Sequence, residues 1–177
     1  MVEASQALQG PALLDALRRG GYVLYLRHAT VQSPHPVCAD GPGLDASGLL
    51  QAQNAGAAIR TLGWPIDVVW TSRTCRTEQT ARALGLGPVQ ITDDLNPGGL
   101  PEGSNHEQVR LARLGATPTP GKNTVLVSHF HGSSTVQRRL QLEMGEFIVF
   151  QPRGDVAPVA VARIRPAEWS GLLALPR

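Results

Sequence analysis

The sequence predicts an α/β sandwich of three layers, with a mostly parallel central sheet flanked by helices. Three observations lead there. Short apolar runs of strand size recur at 22–26, 66–70, 124–127 and 147–150. Segments with apolar residues at helical spacing separate most of them, which is the pattern of βα units rather than of a chain of hairpins. Glycine and proline mark many of the junctions, beginning with Gly20-Gly21.

The elements follow in order. Residues 8–19 carry Leu13, Leu14 and Leu17 at helical spacing and stop at the glycine pair. The run at 22–26 then reads as a buried strand. Residues 31–44 hold three prolines and several turn formers and are expected to form a loop. Asp45 is a good N-cap for a helix reaching about Leu62, whose inner stripe would be Leu49, Ala52, Ala55, Ile59 and Leu62. A strand at 66–70, a helix at 74–84 and a short strand at 89–91 come next. Residues 93–122 are rich in Gly and Pro, with one helix at about 105–114. A strand at 124–127 and a helix at 133–142 follow. Two further strands, 147–150 and 159–161, would pair as an antiparallel addition. Pro166 opens a short terminal helix, with Trp169 and Leu172 turned inward. No internal repeat or low-complexity tract interrupts this order, so one domain is expected over 1–177.

Of 177 residues, 42% are apolar and 17% charged, which suits a folded globular chain. The formal net charge is +2 and no Lys/Arg run marks a nucleic-acid footprint. The apolar stretches are strand-sized, too short to span a bilayer. Residues 1–20 contain Glu3, Asp15, Arg18 and Arg19 and lack a signal-peptide core, so a cytoplasmic protein is expected, or a mature form whose leader was removed. Two cysteines, Cys38 and Cys75, are too few for a zinc site or a disulfide framework. Two reduced thiols are the expectation. A Cys38–Cys75 disulfide is the alternative and would suit an exported protein.

In parallel α/β sheets, ligands bind beyond the carboxyl ends of the strands. Arg27-His28 follow the first predicted strand, Ser72 to Arg76 the second, and Ser128-His129 the strand at 124–127. Two arginines and two histidines, distant in sequence, would therefore converge on one crevice. That set suits a phosphate. Guanidinium forks match phosphate oxygens and stay charged. The start of the helix near Thr74 adds backbone N–H groups and a favourable dipole. A neutral imidazole can attack phosphorus once neighbouring cations offset its negative charge, and a second imidazole can stabilise the group in flight. Residue chemistry alone leaves open which histidine is the nucleophile.

The segment Tyr25-Leu-Arg-His-Ala29 resembles the first signature of the histidine phosphatase (phosphoglycerate mutase-like) superfamily. Thr71-Ser-Arg-Thr-Cys-Arg-Thr-Glu-Gln-Thr-Ala81 is similar to its second motif, Ser-x-x-x-Arg-x-x-x-Thr-Ala, and Leu126-Val-Ser-His129 to its third. Leu44, Gly48, Gln51 and Ala52 resemble its second-helix pattern. Gly145-Glu146, Pro152, Ile164 and Glu168-Trp169 resemble the C-terminal part of a small bacterial branch. The likeness spans roughly residues 12–173. It implies that His28 forms a phosphohistidine, that Arg27 and Arg76 bind the phosphate, that His129 completes the pocket, and that neither metal nor cofactor takes part.

Two departures stand out. Many members carry a catalytic glutamate after a Leu beyond the second motif, whereas this chain reads Asp93-Asp-Leu-Asn-Pro-Gly-Gly99. Another branch has Asp directly after the second histidine, and here Phe130 stands there. Candidates for the general acid are Asp94, Glu102, His106 and Glu146. Glu146 could instead be a structural carboxylate paired with an arginine. Thr30, Ser72, Arg73 and His131 lie beside the motifs and are candidate substrate contacts. His129-x-His131 invites a metal reading, but it falls past the strand end without an evident third ligand. His35 is read as a solvated loop residue, and Tyr22, Tyr25, Trp64, Trp70 and Trp169 as packing aromatics. The expected activity is hydrolysis of a small phosphate monoester through phosphohistidine. A non-hydrolytic phosphate-binding role and a phosphomutase are the alternatives. The loops at 31–44 and 93–122 would rim the pocket, and their few charges suit a small or partly apolar ester. Neither nucleic acid nor membrane is an expected partner.

Overall fold

The computed structural model describes residues 7–96, 106–129 and 142–176, and of residues 106 and 107 the backbone alone. The predicted helix at 133–142 lies outside this range except for Leu142, as do Glu102, Phe130 and His131.

Eight strands and five α-helices are formed among the described residues. They are α1 (Gly10–Arg19), β1 (Val23–Arg27), β2 (Val37–Cys38), β3 (Gly41–Pro42), α2 (Ala46–Leu62), β4 (Ile66–Thr71), α3 (Cys75–Leu84), β5 (Val89–Ile91), α4 (His106–Gly115), β6 (Asn123–Ser128), β7 (Phe147–Arg153), β8 (Val156–Ile164) and α5 (Trp169–Leu173). Short 3₁₀ turns cover Asp93–Leu95 and Pro166–Glu168.

Six strands make the central sheet in the order β5-β4-β6-β1-β7-β8. β5, β4, β6 and β1 pair in parallel. β7 runs antiparallel to β1 on one side and to β8 on the other, so the last two strands do form the expected antiparallel addition. The sheet is buried on both faces, which is why its strands read as unbroken apolar runs. Leu24, Leu26, Val69, Val125, Val127, Phe147 and Val149 pack with Leu13, Leu14 and Leu17 of α1, Ala55 and Ile59 of α2, Leu84 of α3, and Trp169. Val23, Tyr25, Leu126, Ile148 and Phe150 point the other way, against Leu95 and Leu114.

Asp45 caps α2 as its sequence position predicts, its Oδ1 accepting the Gly48 N–H at 2.6 Å. The expected inner stripe needs one correction. Leu49 is exposed, and the buried face is Gly48, Ala52, Ala55, Gly56, Ala58, Ile59 and Leu62. Small residues are required because α2 lies close to its neighbours. A Cβ on Gly56 would collide with the Leu84 backbone of α3, and one on Gly48 with the carbonyl of Thr30.

The loop at 31–44 contains the β2–β3 hairpin, which its prolines conceal in the sequence. The expectation of free thiols is overturned. Cys38 of the hairpin and Cys75, the first residue of α3, are joined in a disulfide with their Cα atoms 6.2 Å apart. No helix among the described residues is long and apolar enough to cross a membrane.

Candidate active site

The site forms where three adjacent strands end. β6 lies between β1 and β4, with Arg27 opposite Ser128 and Thr71 opposite Val127. The residues that follow, His28, Ser72 and His129, must then meet. The two imidazoles stand edge to face, ring centroids 5.4 Å apart, and both are largely buried.

Their hydrogen bonds define the tautomers. His28 Nδ1 is 2.9 Å from the carbonyl oxygen of Ala29, which can only accept, so Nδ1 carries the proton. The lone pair of the neutral ring is then on Nε2. His129 Nδ1 is 3.3 Å from Arg76 Nη2, a group that can only donate, so the proton of neutral His129 sits on Nε2. From there it reaches Ser72 Oγ at 3.0 Å and Thr74 Oγ1 at 3.3 Å. Tyr25 Oη donates to the His129 carbonyl at 2.8 Å. Burial pushes the Tyr25 phenol above its ordinary value, so it remains a donor at neutral pH. Arg27 donates to the carbonyl of Leu142 at 2.6 Å, and burial draws its guanidinium below its ordinary value without neutralising it.

A match to the family model described as histidine phosphatase superfamily, branch 1, covers residues 23–117, more than half of the chain. The chain belongs to that superfamily. Among curated proteins none matches the sequence. Solved structures with the same fold include a proposed phosphohistidine phosphatase SixA from Nakamurella multipartitia, 22% identical, covering 82% of this chain and 96% of that one at a TM-score of 0.61. The protein histidine phosphatase SixA complexed with tungstate is 14% identical, covering 83% and 98%, with a TM-score of 0.64. A phosphoserine phosphatase mutant from Entamoeba histolytica in complex with phosphoserine is 16% identical, covering 82% and 97%, with a TM-score of 0.54.

The superfamily motifs acquire physical reasons here. Thr80 of the second motif is fully buried; its Oγ1 accepts the Ala29 N–H at 3.0 Å and donates to the Arg76 carbonyl at 2.7 Å. It thereby locks the turn after β1 to α3, and so His28 to Arg76. Gln51 Oε1 accepts both the backbone N–H and the hydroxyl of Thr30, at 3.0 and 3.2 Å. Gly48 admits the Thr30 carbonyl against α2. Ala29, Leu44 and Ala52 form their own small apolar cluster.

The structure brings together His28, Ser72, Arg76 and His129 from the sequence-derived set, while the guanidinium of Arg27, the residue before His28, is bonded to the Leu142 carbonyl. Ser72 is fully buried and reaches the pocket through His129. Thr30 is engaged by Gln51, and Arg73 is an exposed residue paired with Asp93 at 3.0 Å. That pairing holds the Asp93 carboxyl below its ordinary value. The candidate acids separate. Asp94 is bound by Arg113 at 2.6 Å, under a guanidinium stacked 4.5 Å from the Trp70 ring centroid. Glu146 is 1% exposed, and its carboxylate accepts from Glu143 N at 2.9 Å and from Arg163 at 2.6 Å. These are the contacts of a carboxylate paired with an arginine, the alternative reading of this residue. Glu102, His131 and the His106 side chain lie outside the described residues. Among the described residues no cluster of three or more His, Cys, Asp or Glu could hold a metal.

The start of α3 also differs from expectation. Its first N–H, that of Cys75, is accepted by Asp40 Oδ2 of the hairpin at 2.9 Å, so the helix end is not simply open to an anion. The sequence identified Gln51 and Thr80 only as parts of motifs, Thr74 only as a helix start and Tyr25 only as a motif residue and packing aromatic. Tyr25 has the apolar body of a core aromatic, and only the fold brings its hydroxyl to His129.

Proposed function

We propose that this protein hydrolyses a small phosphate monoester through a phosphohistidine on His28. The observation that carries the reading is the state of His28: a buried imidazole whose Nδ1 is held by the Ala29 carbonyl, leaving the lone pair of the neutral ring on Nε2, edge to face with a His129 that is bonded to Arg76. In the first step Nε2 bonds to phosphorus, the ester P–O bond breaks, and the leaving oxygen takes a proton. In the second, water attacks the phosphorus, the P–N bond breaks, and phosphate departs. Arg27 and Arg76 offset the charge of the phosphoryl oxygens, and His129 stabilises the group in transfer. The tungstate and phosphoserine complexes of fold relatives agree with a small phosphorylated ligand.

Incubation with a chromogenic phosphate ester tests this reading. His28→Ala should lower hydrolysis by about a thousandfold or more, as loss of a covalent nucleophile does elsewhere. Equal hydrolysis by both proteins would overturn it.

One observation favours a second reading, a phosphate-binding member of the fold that does not hydrolyse. Asp94 and Glu146, two of the four candidate acids, are engaged by arginines. Inorganic phosphate binding by the wild type, with no label trapped on His28, would support that reading over the first.

A further inference from the structure

The departure from the family pattern at Asn96 has a physical role. The 3₁₀ turn Asp93–Leu95 and Asn96 follow β5 and lie against the ends of both β4 and β6. Asn96 Oδ1 accepts the Arg73 N–H at 2.8 Å. Arg73 is the residue between Ser72 and Thr74, the two hydroxyl partners of His129 Nε2. Fixing that one N–H therefore fixes both partners. On the other side, the carbonyl of Leu95 accepts Ser128 Oγ at 2.7 Å, one residue before His129. The same short turn thus grips His129 from two strands.

The turn is itself held. Asn96 N donates to the Asp93 carbonyl at 3.0 Å and Asn96 Nδ2 to Asp93 Oδ1 at 3.1 Å. Arg73 Nε reaches the same Oδ1 at 3.0 Å. The Asn96 carbonyl accepts Arg110 Nη2 of α4 at 2.7 Å. Arg110 is 4% exposed, so that bond sits where water competes little.

We propose that Asn96, clamped by Arg110, is a positioning residue for His129, acting through the Ser72–Thr74 turn. The proposal rests on the phosphatase reading for its kinetic consequence and on the geometry alone for the orientation of the ring. A carboxylate at position 96 or 97 would offer chemistry; an amide offers a rigid two-way bridge, donating to Asp93 and accepting from Arg73. Small misplacements of a group that acts in the transition state lower turnover more than they lower substrate binding.

The test uses the full chain with Asn96→Ala, Asn96→Ser, Arg110→Met and Arg110→Lys. Hydrolysis of a chromogenic phosphate ester is followed against pH, and the His129 ring is titrated by nitrogen NMR. For Asn96→Ala, kcat should fall about tenfold or more while KM stays within about threefold, and the His129 titration should move. Arg110→Met should do the same more weakly, and Arg110→Lys, which keeps a donor for the Asn96 carbonyl, should recover most of the loss. Should Asn96→Ala fail to fold, Asn96→Ser is read in its place. Unchanged kcat and an unchanged His129 titration would overturn the proposal. So would a loss of activity that only tracks the folded fraction. If the wild type hydrolyses nothing, the phosphatase reading fails, and the His129 titration alone decides this one: a shift in the Asn96 variants sustains it and no shift sinks it.

Discussion

At the scale of single residues, protonation in this site follows from which neighbours can only donate or only accept. A backbone carbonyl beside His28 and a guanidinium beside His129 leave the two rings in opposite tautomers. One presents a lone pair on Nε2 and the other a proton there. That asymmetry, absent from the sequence because both residues are simply histidine, is what suits the two rings to different parts in the proposed reaction. Glu146 makes the reverse point. Its sequence position suggested chemistry, yet its carboxylate is nearly fully buried and bound to Arg163. Glu146→Gln should act on stability first. Leaving Arg163 without its partner should cost about 2 kcal/mol, less than a fully buried pair because Arg163 is 30% exposed. For a chain of this size the melting temperature should fall by roughly 4–8 °C in calorimetry. Lost hydrolysis with an unchanged melting temperature would return Glu146 to the catalytic group.

At the scale of elements, the β2–β3 hairpin and the residues just after it are fastened to α3 in three ways. The Cys38–Cys75 disulfide joins them, Asp40 caps Cys75, and Gln79 Oε1 accepts the Leu44 N–H at 2.7 Å. A Cβ placed on Gly41 would lie 3.8 Å from Arg76 Nη1, so the hairpin passes directly by the arginine bonded to His129. The bridge spans 37 positions of chain. Closing a loop of that length stabilises by about 4 kcal/mol in the chain-entropy account. Reduction, or the double replacement Cys38→Ser with Cys75→Ser, should therefore lower the melting temperature by roughly 10 °C. It should also weaken inorganic phosphate binding by loosening the hairpin beside Arg76. An unchanged melting temperature and phosphate affinity would show that the bridge neither stabilises the fold nor steadies the site.

At the scale of the whole molecule, stability against acid depends on carboxylates that folding holds ionised. The Asp45 carboxyl is held below its ordinary value by the Ser47 hydroxyl and by backbone N–H groups, and that of Asp93 by Arg73. A depressed folded value means that the contribution is complete above the unfolded value, about 4, and is lost as pH falls through the folded values. Unfolding measured by urea titration should show stability flat above about pH 5 and declining below pH 4. Asp45→Asn should flatten the decline. An unaltered slope in that variant would remove Asp45 from the account.

Sheet composition and the convergence of residues at the strand ends were legible in the sequence because both rest on local rules. A strand buried on two faces must be apolar along its whole length, and ligands gather at the carboxyl ends of parallel strands. These rules determined β1, β4 and β6 and predicted that His28, Arg76 and His129 would meet, as they do. The rest depends on side chains meeting across the fold. Leu49 reads as part of a helical stripe, but the close approach of α2 to Thr30 and Leu84 rotates small residues inward instead. Cys38 and Cys75 lie in unrelated segments, and only the path of the hairpin past α3 joins them. Tyr25, Thr80 and Asn96 look like core, helix and loop residues until tertiary contacts give each a bond to the site. The sequence by itself determined which chemistry could gather at the strand ends, since residue type and strand periodicity are written along the chain. Only the tertiary structure decided the tautomer of each histidine, the occupation of Glu146 and the grip of Asn96, since a hydrogen bond is set by which atoms meet in space.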